Sequence, residues 1–107
     1  MGWVYLLLAG MMEIGWPVGL KLAQTEGWRW QGIVIAVVFM TVSGALLFAA
    51  QKTIPMGTAY AVWTGIGAIG AFVVGIVFYH DPATLWRWLG VTLIVSGVIV
   101  MKLSAAE

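Results

Sequence analysis

Four apolar runs, approximately 3–22, 32–50, 58–79 and 85–103, take up most of this 107-residue chain. A hydrocarbon layer of about 30 Å is crossed by roughly 20 helical residues. Backbone N–H and C=O groups find no water there, which leaves the helix as the natural form for such a run. The sequence therefore predicts an all-α membrane protein of four transmembrane helices forming a single domain over residues 1–107. Composition agrees: 63% of residues are hydrophobic and 8% charged, far from a soluble globular domain. Charge and turn-forming residues gather at the joints, with Glu26 and Arg29, then Lys52 and Pro55, then Asp81 and Pro82.

Glu13 is the only acidic residue inside any of the four runs. A charge at bilayer depth is costly, and residues that carry one usually face a water-filled cavity and mark an ion, proton or substrate path. Pairing with a basic residue is the competing explanation, but the helix interiors contain no Lys or Arg to serve as partner. Gly10 lies one turn before Glu13 and Trp16 one turn after, so the three fall on roughly one face. Lys21 and Lys102, near span ends, are expected to snorkel to the interface.

Several classes are disfavoured. The start runs straight into an apolar segment that Glu13 interrupts, without the basic region and cleavage site of a signal peptide. Leu6 stands where a myristoylation signal needs Ser or Thr. The chain has no cysteine and one histidine, His80, in a joint; no metal site or cofactor is expected, and His80 is read as a solvated surface group. A net charge of +1 gives no reason to expect nucleic acid. One intramembrane carboxylate with no second acid, base or nucleophile leaves an enzyme without a bond to break.

With four spans, Lys52 and Lys102 share one side of the membrane while Lys21, Arg29 and Arg87 share the other. Orientation follows the Lys/Arg bias of short loops, and here the bias nearly vanishes. The balance is compatible with insertion in both senses, and equally with one orientation set by a partner or by residues near the ends. Secondary transporters commonly place their site between repeats of inverted topology. This chain holds no second repeat, and two oppositely inserted copies would supply it. On the fourth run Gly90, Leu93, Ile94 and Gly97 make a stripe for close helix approach, either within the chain or across a dimer interface.

The third run reads Thr58-Ala-Tyr60-Ala-Val-Trp63-Thr-Gly65-Ile-Gly67-Ala-Ile-Gly70. Tyr60 and Trp63 fit a wall that contacts a cation through ring faces and the Tyr hydroxyl, with Gly65 and Gly67 as a hinge. An interfacial aromatic belt is the plain alternative. Trp3, Trp28, Trp30, Trp86 and Trp88, at span ends or in joints, are expected to be belt anchors.

The lone glutamate, the segment Ala59-Tyr-Ala-Val-Trp-Thr-Gly-Ile-Gly67 and the segment Gly90-Val-Thr-Leu-Ile-Val-Ser-Gly-Val98 resemble the small multidrug resistance family along essentially the whole chain. Trp16, and Lys52 to Tyr60, resemble its guanidinium-exporter subgroup. The resemblance implies an antiparallel, dual-topology homodimer in the inner membrane of a prokaryote, exchanging protons for a small cation, guanidinium above all. Glu13 of both subunits would face one site. Two neighbouring carboxylates repel, so protons and cations compete for them, and guanidinium suits a carboxylate through paired charge-assisted hydrogen bonds.

Residue by residue, the resemblance makes Glu13 the carrier, has Trp16 and Ser43 hydrogen-bond and orient it, gives Gly10 the space beside it, and lines the site with Tyr60 and Trp63. Without the resemblance, Ser43 reads as a membrane serine bonded back to its own helix. Pro17 departs from the subgroup, and so does the joint Tyr79-His-Asp-Pro82, where Asp81 is expected to cap the turn before the fourth helix. Pro17 cannot donate to the Glu13 carbonyl. Its alternatives are an effect on substrate range and a kink satisfied by neighbouring helices. Two other functions remain: a broader exporter of quaternary ammonium or aromatic cations, and a non-transporting or heterodimeric membrane partner.

Overall fold

The computed structural model describes residues 1–104. Those residues form four helices, α1 (Gly2–Ala23), α2 (Arg29–Ala50), α3 (Met56–Tyr79) and α4 (Leu85–Ser104), each long and apolar enough to cross a membrane. They extend past the apolar runs, most at the start of α2, which begins at Arg29 rather than 32. Hydropathy marks the lipid-facing part of a helix, whereas the backbone keeps coiling through polar residues until a turn stops it. Gly27, with φ 85°, makes the turn before α2. Pro55, at φ −55° and ψ 142°, precedes the first residue of α3. His80 takes the left-handed conformation, φ 57°, and the Asp81 N–H then donates to the Gly75 carbonyl at 3.1 Å, closing α3.

Asp81 does not cap α4. That role falls to Thr84, whose Oγ1 accepts the Arg87 N–H at 3.3 Å. Thr84 directly precedes α4, at the cap position, while Asp81 is three residues too early and its side chain lies against Gly75.

α1 packs against α2 and α3, α3 packs against α4, and α2 touches α3 slightly, so the helices stand in a row α2, α1, α3, α4. The extents of 47 × 34 × 16 Å describe a flat slab. Its middle dimension matches a helix of 24 residues, about 36 Å at 1.5 Å per residue.

Small residues hold the row together. On α1, Gly15, Gly19 and Ala23 recur every fourth position, and on α2 Gly32 and Ala36 do the same. A Cβ on Gly19 would lie 2.6 Å from the Ala36 nitrogen, and one on Gly32 would lie 2.6 Å from the Gly19 carbonyl oxygen. The two backbones touch, as small-residue stripes permit in lipid. Side chains sit over glycines elsewhere: Ile66 against Gly10, Phe39 against Gly15, Ile14 against Gly70, and Val98 against Gly65. A compact apolar cluster of Leu6, Ala50, Ile54, Ala59 and Val62 closes the end of the row at the α2–α3 joint.

The belt tryptophans do two things. Trp28, Trp30, Trp86 and Trp88 are exposed, while the Trp3 ring carries the Lys102 ammonium at 4.8 Å. Lys21 similarly lies 5.7 Å from the Tyr79 ring centre. Both cations sit over an aromatic face at a span end, a variant of the expected snorkelling.

Gly32→Val drives a side chain into the α1 backbone and is expected to cost about 1–3 kcal/mol or more. Gly44→Ala, on a face open to 4 Å, is expected to cost nothing. Unfolding in mixed micelles followed by circular dichroism checks both.

Candidate functional site

The site begins with the seat of Glu13. Its Cγ lies 2.5 Å from the position a Cβ on Gly67 would take, so any larger residue at position 67 would displace the carboxylate arm. α1 and α3 run parallel, with Gly10 against Ile66, Glu13 against Gly67 and Ile14 against Gly70. Glu13 Oε1 is buried and has no hydrogen-bond partner, and Trp16 Nε1, one turn along α1, is buried and unpartnered as well. Native proteins leave few such groups unmet, and those left are often functional.

Beside this seat runs a relay across three helices. Trp63 Nε1 on α3 donates to Ser43 Oγ on α2 at 2.8 Å, and Ser43 Oγ donates to the Ala9 carbonyl on α1 at 2.7 Å. Ser43 is fully buried. Ala9 is the residue whose carbonyl takes the Glu13 N–H in a regular helix, so the relay fixes the turn from which the carboxylate springs. Trp63 stands one turn before Gly67, which puts the relay and the seat at neighbouring levels of α3.

The residues expected at the site are therefore partly regrouped. Ser43 neither binds Glu13 nor bonds back to its own helix: it lies level with Ala9, and a main-chain carbonyl is within its reach. Trp16 makes no bond to Glu13. Gly10 takes the Ile66 side chain of α3 against it, one turn before Glu13. Tyr60 stacks on Trp63 with ring centres 5.4 Å apart and planes at 52°, but it is 56% exposed and stands at the open face of the slab. Gly65 and Gly67 lie within an unbroken α3 and receive Val98 and Glu13.

On α4, Gly90 and Gly97 have no atom within 4 Å of a Cβ position. Leu93 is largely exposed and Ile94 partly so, its Cγ2 lying 3.4 Å from the Cβ position of Gly65. None of the α4 residues described is buried.

Sequence reasoning had no access to the Ala9 carbonyl, since a backbone acceptor leaves no trace in residue identity. It gave Gly67 the part of a hinge, and three-dimensional proximity adds that the Glu13 arm lies against it. The α1 and α2 small-residue stripes were not singled out, although their four-residue spacing is the signal that marks them.

A slab of helices, one intramembrane carboxylate over a glycine and an aromatic relay beside it define a small membrane transporter. The profile described as Small Multidrug Resistance protein matches residues 1–94, and the chain belongs to that family. Among its relatives is the guanidinium exporter of Salmonella typhimurium strain LT2, 49% identical over 106 residues, which covers 98% of this chain and 99% of that one. The guanidinium exporter of Escherichia coli K12 is 50% identical over 105 residues, covering 97% and 98%. That of Citrobacter freundii is 48% identical over the same length.

Ser43→Ala removes both bonds of the relay and strands the Trp63 N–H. A loss of about 1–3 kcal/mol in unfolding free energy is expected, together with a shifted Trp63 emission in a variant keeping that tryptophan alone.

Proposed function

We propose that this chain exports guanidinium or small guanidinyl cations in exchange for protons, as an antiparallel homodimer in a prokaryotic inner membrane. The observation that carries the reading is the buried, unpartnered Glu13 oxygen in a chain about half identical to exporters of that name. Export breaks no covalent bond, so the work falls to binding and to movement.

A slab 16 Å thick encloses no chamber. A second copy, inverted and laid against the face that holds Glu13, closes one, and the near-equal Lys/Arg count permits both orientations. The open stripe of Gly90, Leu93, Ile94 and Gly97 offers α4 as the dimer contact. Among the described residues it packs along its length against α3 only, with Lys102 reaching the Trp3 ring of α1 at one end, and it has bare glycines, while its hydroxyls are spent internally, Thr92 on the Trp88 carbonyl and Ser96 on the Thr92 carbonyl.

In the closed chamber two Glu13 carboxylates share a site. A planar cation accepts their charge and gives them N–H donors. The Trp16 N–H, free in the single chain, is positioned to hold the carboxylate once the second copy narrows the site. Tyr60 and Trp63 supply ring faces for the cation. When the cation leaves, protons replace it on the carboxylates, because two bare charges side by side are unfavourable. Exchange between the two sides follows as α3 flexes at Gly65 and Gly67. Gly10 gives α1 the clearance to move over Ile66. The four helices act as one transport domain, with lipid around it and no cofactor.

In proteoliposomes, external guanidinium is expected to drive proton movement detected by a trapped pH dye, and Glu13→Gln is expected to reduce it to the level of protein-free vesicles. A folded, dimeric native protein that moves no protons would end this reading.

With no native cysteine, a single cysteine at Gln51 is expected to label from both faces of the membrane. Labelling from one face alone would contradict the antiparallel arrangement.

A further inference from the structure

We propose that Pro17 turns the main-chain carbonyl of Glu13 into a second acceptor for the cation, beside the carboxylate of the same residue. The inference rests on the guanidinium reading and names a further specificity-determining residue within it.

Pro17 lies inside α1, which continues as helix to Ala23. In a regular helix the N–H of residue 17 donates to the carbonyl of residue 13. Proline has no N–H, and its ring crowds that carbonyl and pushes the turn open. The freed acceptor is at bilayer depth, where an unsatisfied backbone group is expensive and is tolerated only where protein or a cavity meets it.

A cavity borders Pro17. Pro17 and Val18 form its α1 wall, and Ala71, Val74 and Gly75 its α3 wall, with Tyr79 at the mouth. The two walls are hydrocarbon, Asp81 completes the lining beside Tyr79 and is an acceptor, and no side chain of the described residues donates to the Glu13 carbonyl. The Lys21 ammonium, also at the mouth, is drawn over the Tyr79 ring. Trp16 Nε1, the neighbouring side-chain donor on α1, has no partner and so does not reach the carbonyl. The donor must come from a mobile species entering the cavity.

The position of the cavity decides which species matters. Glu13 sits against Gly67, and Ala71 and Gly75 follow at one-turn intervals on the same stripe of α3. The cavity thus starts one turn from the carboxylate and opens towards the α3–α4 joint. A guanidinium ion has N–H donors on every edge of its plane, and a carboxylate engages one edge. A carbonyl on the same residue can take a donor from a second edge. A cation without N–H gains nothing from it.

The test uses the full chain in bilayers, labelled with uniformly 13C glutamate and 15N isoleucine. Glu13–Ile14 is the only Glu–Ile pair in the sequence, so one 13C–15N correlation reports this carbonyl, and the Glu13 side-chain carboxyl carbon reports ordinary cation binding. On titration with guanidinium chloride, both carbons are expected to shift in the native protein.

In Pro17→Ala the new N–H occupies the carbonyl. Its guanidinium response is expected to vanish and the apparent affinity to fall roughly 3- to 10-fold, the worth of one hydrogen bond. Alanine is the strongest helix former, so the variant keeps α1 intact. A carbonyl response equal in both proteins, or an unchanged affinity, overturns the role of Pro17 alone. Silence of the Glu13 carboxyl carbon in the native protein overturns the guanidinium reading, and this inference with it.

Discussion

A carboxylate placed at bilayer depth without a basic partner sets the terms for everything else in this chain. It must be held, it must be reachable, and its charge must be met by something that comes and goes. Gly67 does the holding, because only a residue without a side chain lets the Glu13 arm lie against α3. The relay from Trp63 through Ser43 to the Ala9 carbonyl steadies the turn from which that arm projects. Neither device neutralises the carboxylate, and Oε1 stays buried without a partner. The carboxylate arm is held in place while its Oε1 stays unpartnered, and that combination is what the transport reading draws on.

The same economy of side chains shapes the fold. In lipid there is no hydrophobic drive to pull helices together, so contact depends on close approach. Gly19 and Gly32 bring the α1 and α2 backbones into touch, and Gly10, Gly67 and Gly70 let side chains of the facing helix lie against the α1 and α3 backbones. These contacts give a row one helix deep rather than a bundle with a centre. A row has no interior of its own, and the transport reading therefore calls on a second copy to enclose the carboxylate.

Much of this was legible in the sequence, for identifiable reasons. Four apolar runs of about 20 residues separated by charged joints announce four spanning helices, because a continuous run of that length satisfies its backbone in lipid by coiling on itself. Glu13 announces itself because the apolar interiors around it offer no basic partner. The roles of Ser43, Gly10 and Gly67 were not legible in detail, because they depend on which helix faces which. Ser43 is spent on a backbone carbonyl of α1, an acceptor that every residue carries and no sequence marks. Gly10 and Gly67 lie on opposite sides of one contact between α1 and α3, and their parts follow from its register. Asp81 was expected to cap α4, whereas Thr84, adjacent to the helix, holds the better position.

The central claim is that one cation and the protons occupy the same Glu13 carboxylates by turns. The direct test is to add guanidinium to the purified protein in weakly buffered detergent solution and to count protons released as the cation binds. The account predicts release that tracks occupancy of the site and is absent from Glu13→Gln. Guanidinium bound with no release of protons, at any pH where the protein stays folded, would contradict it.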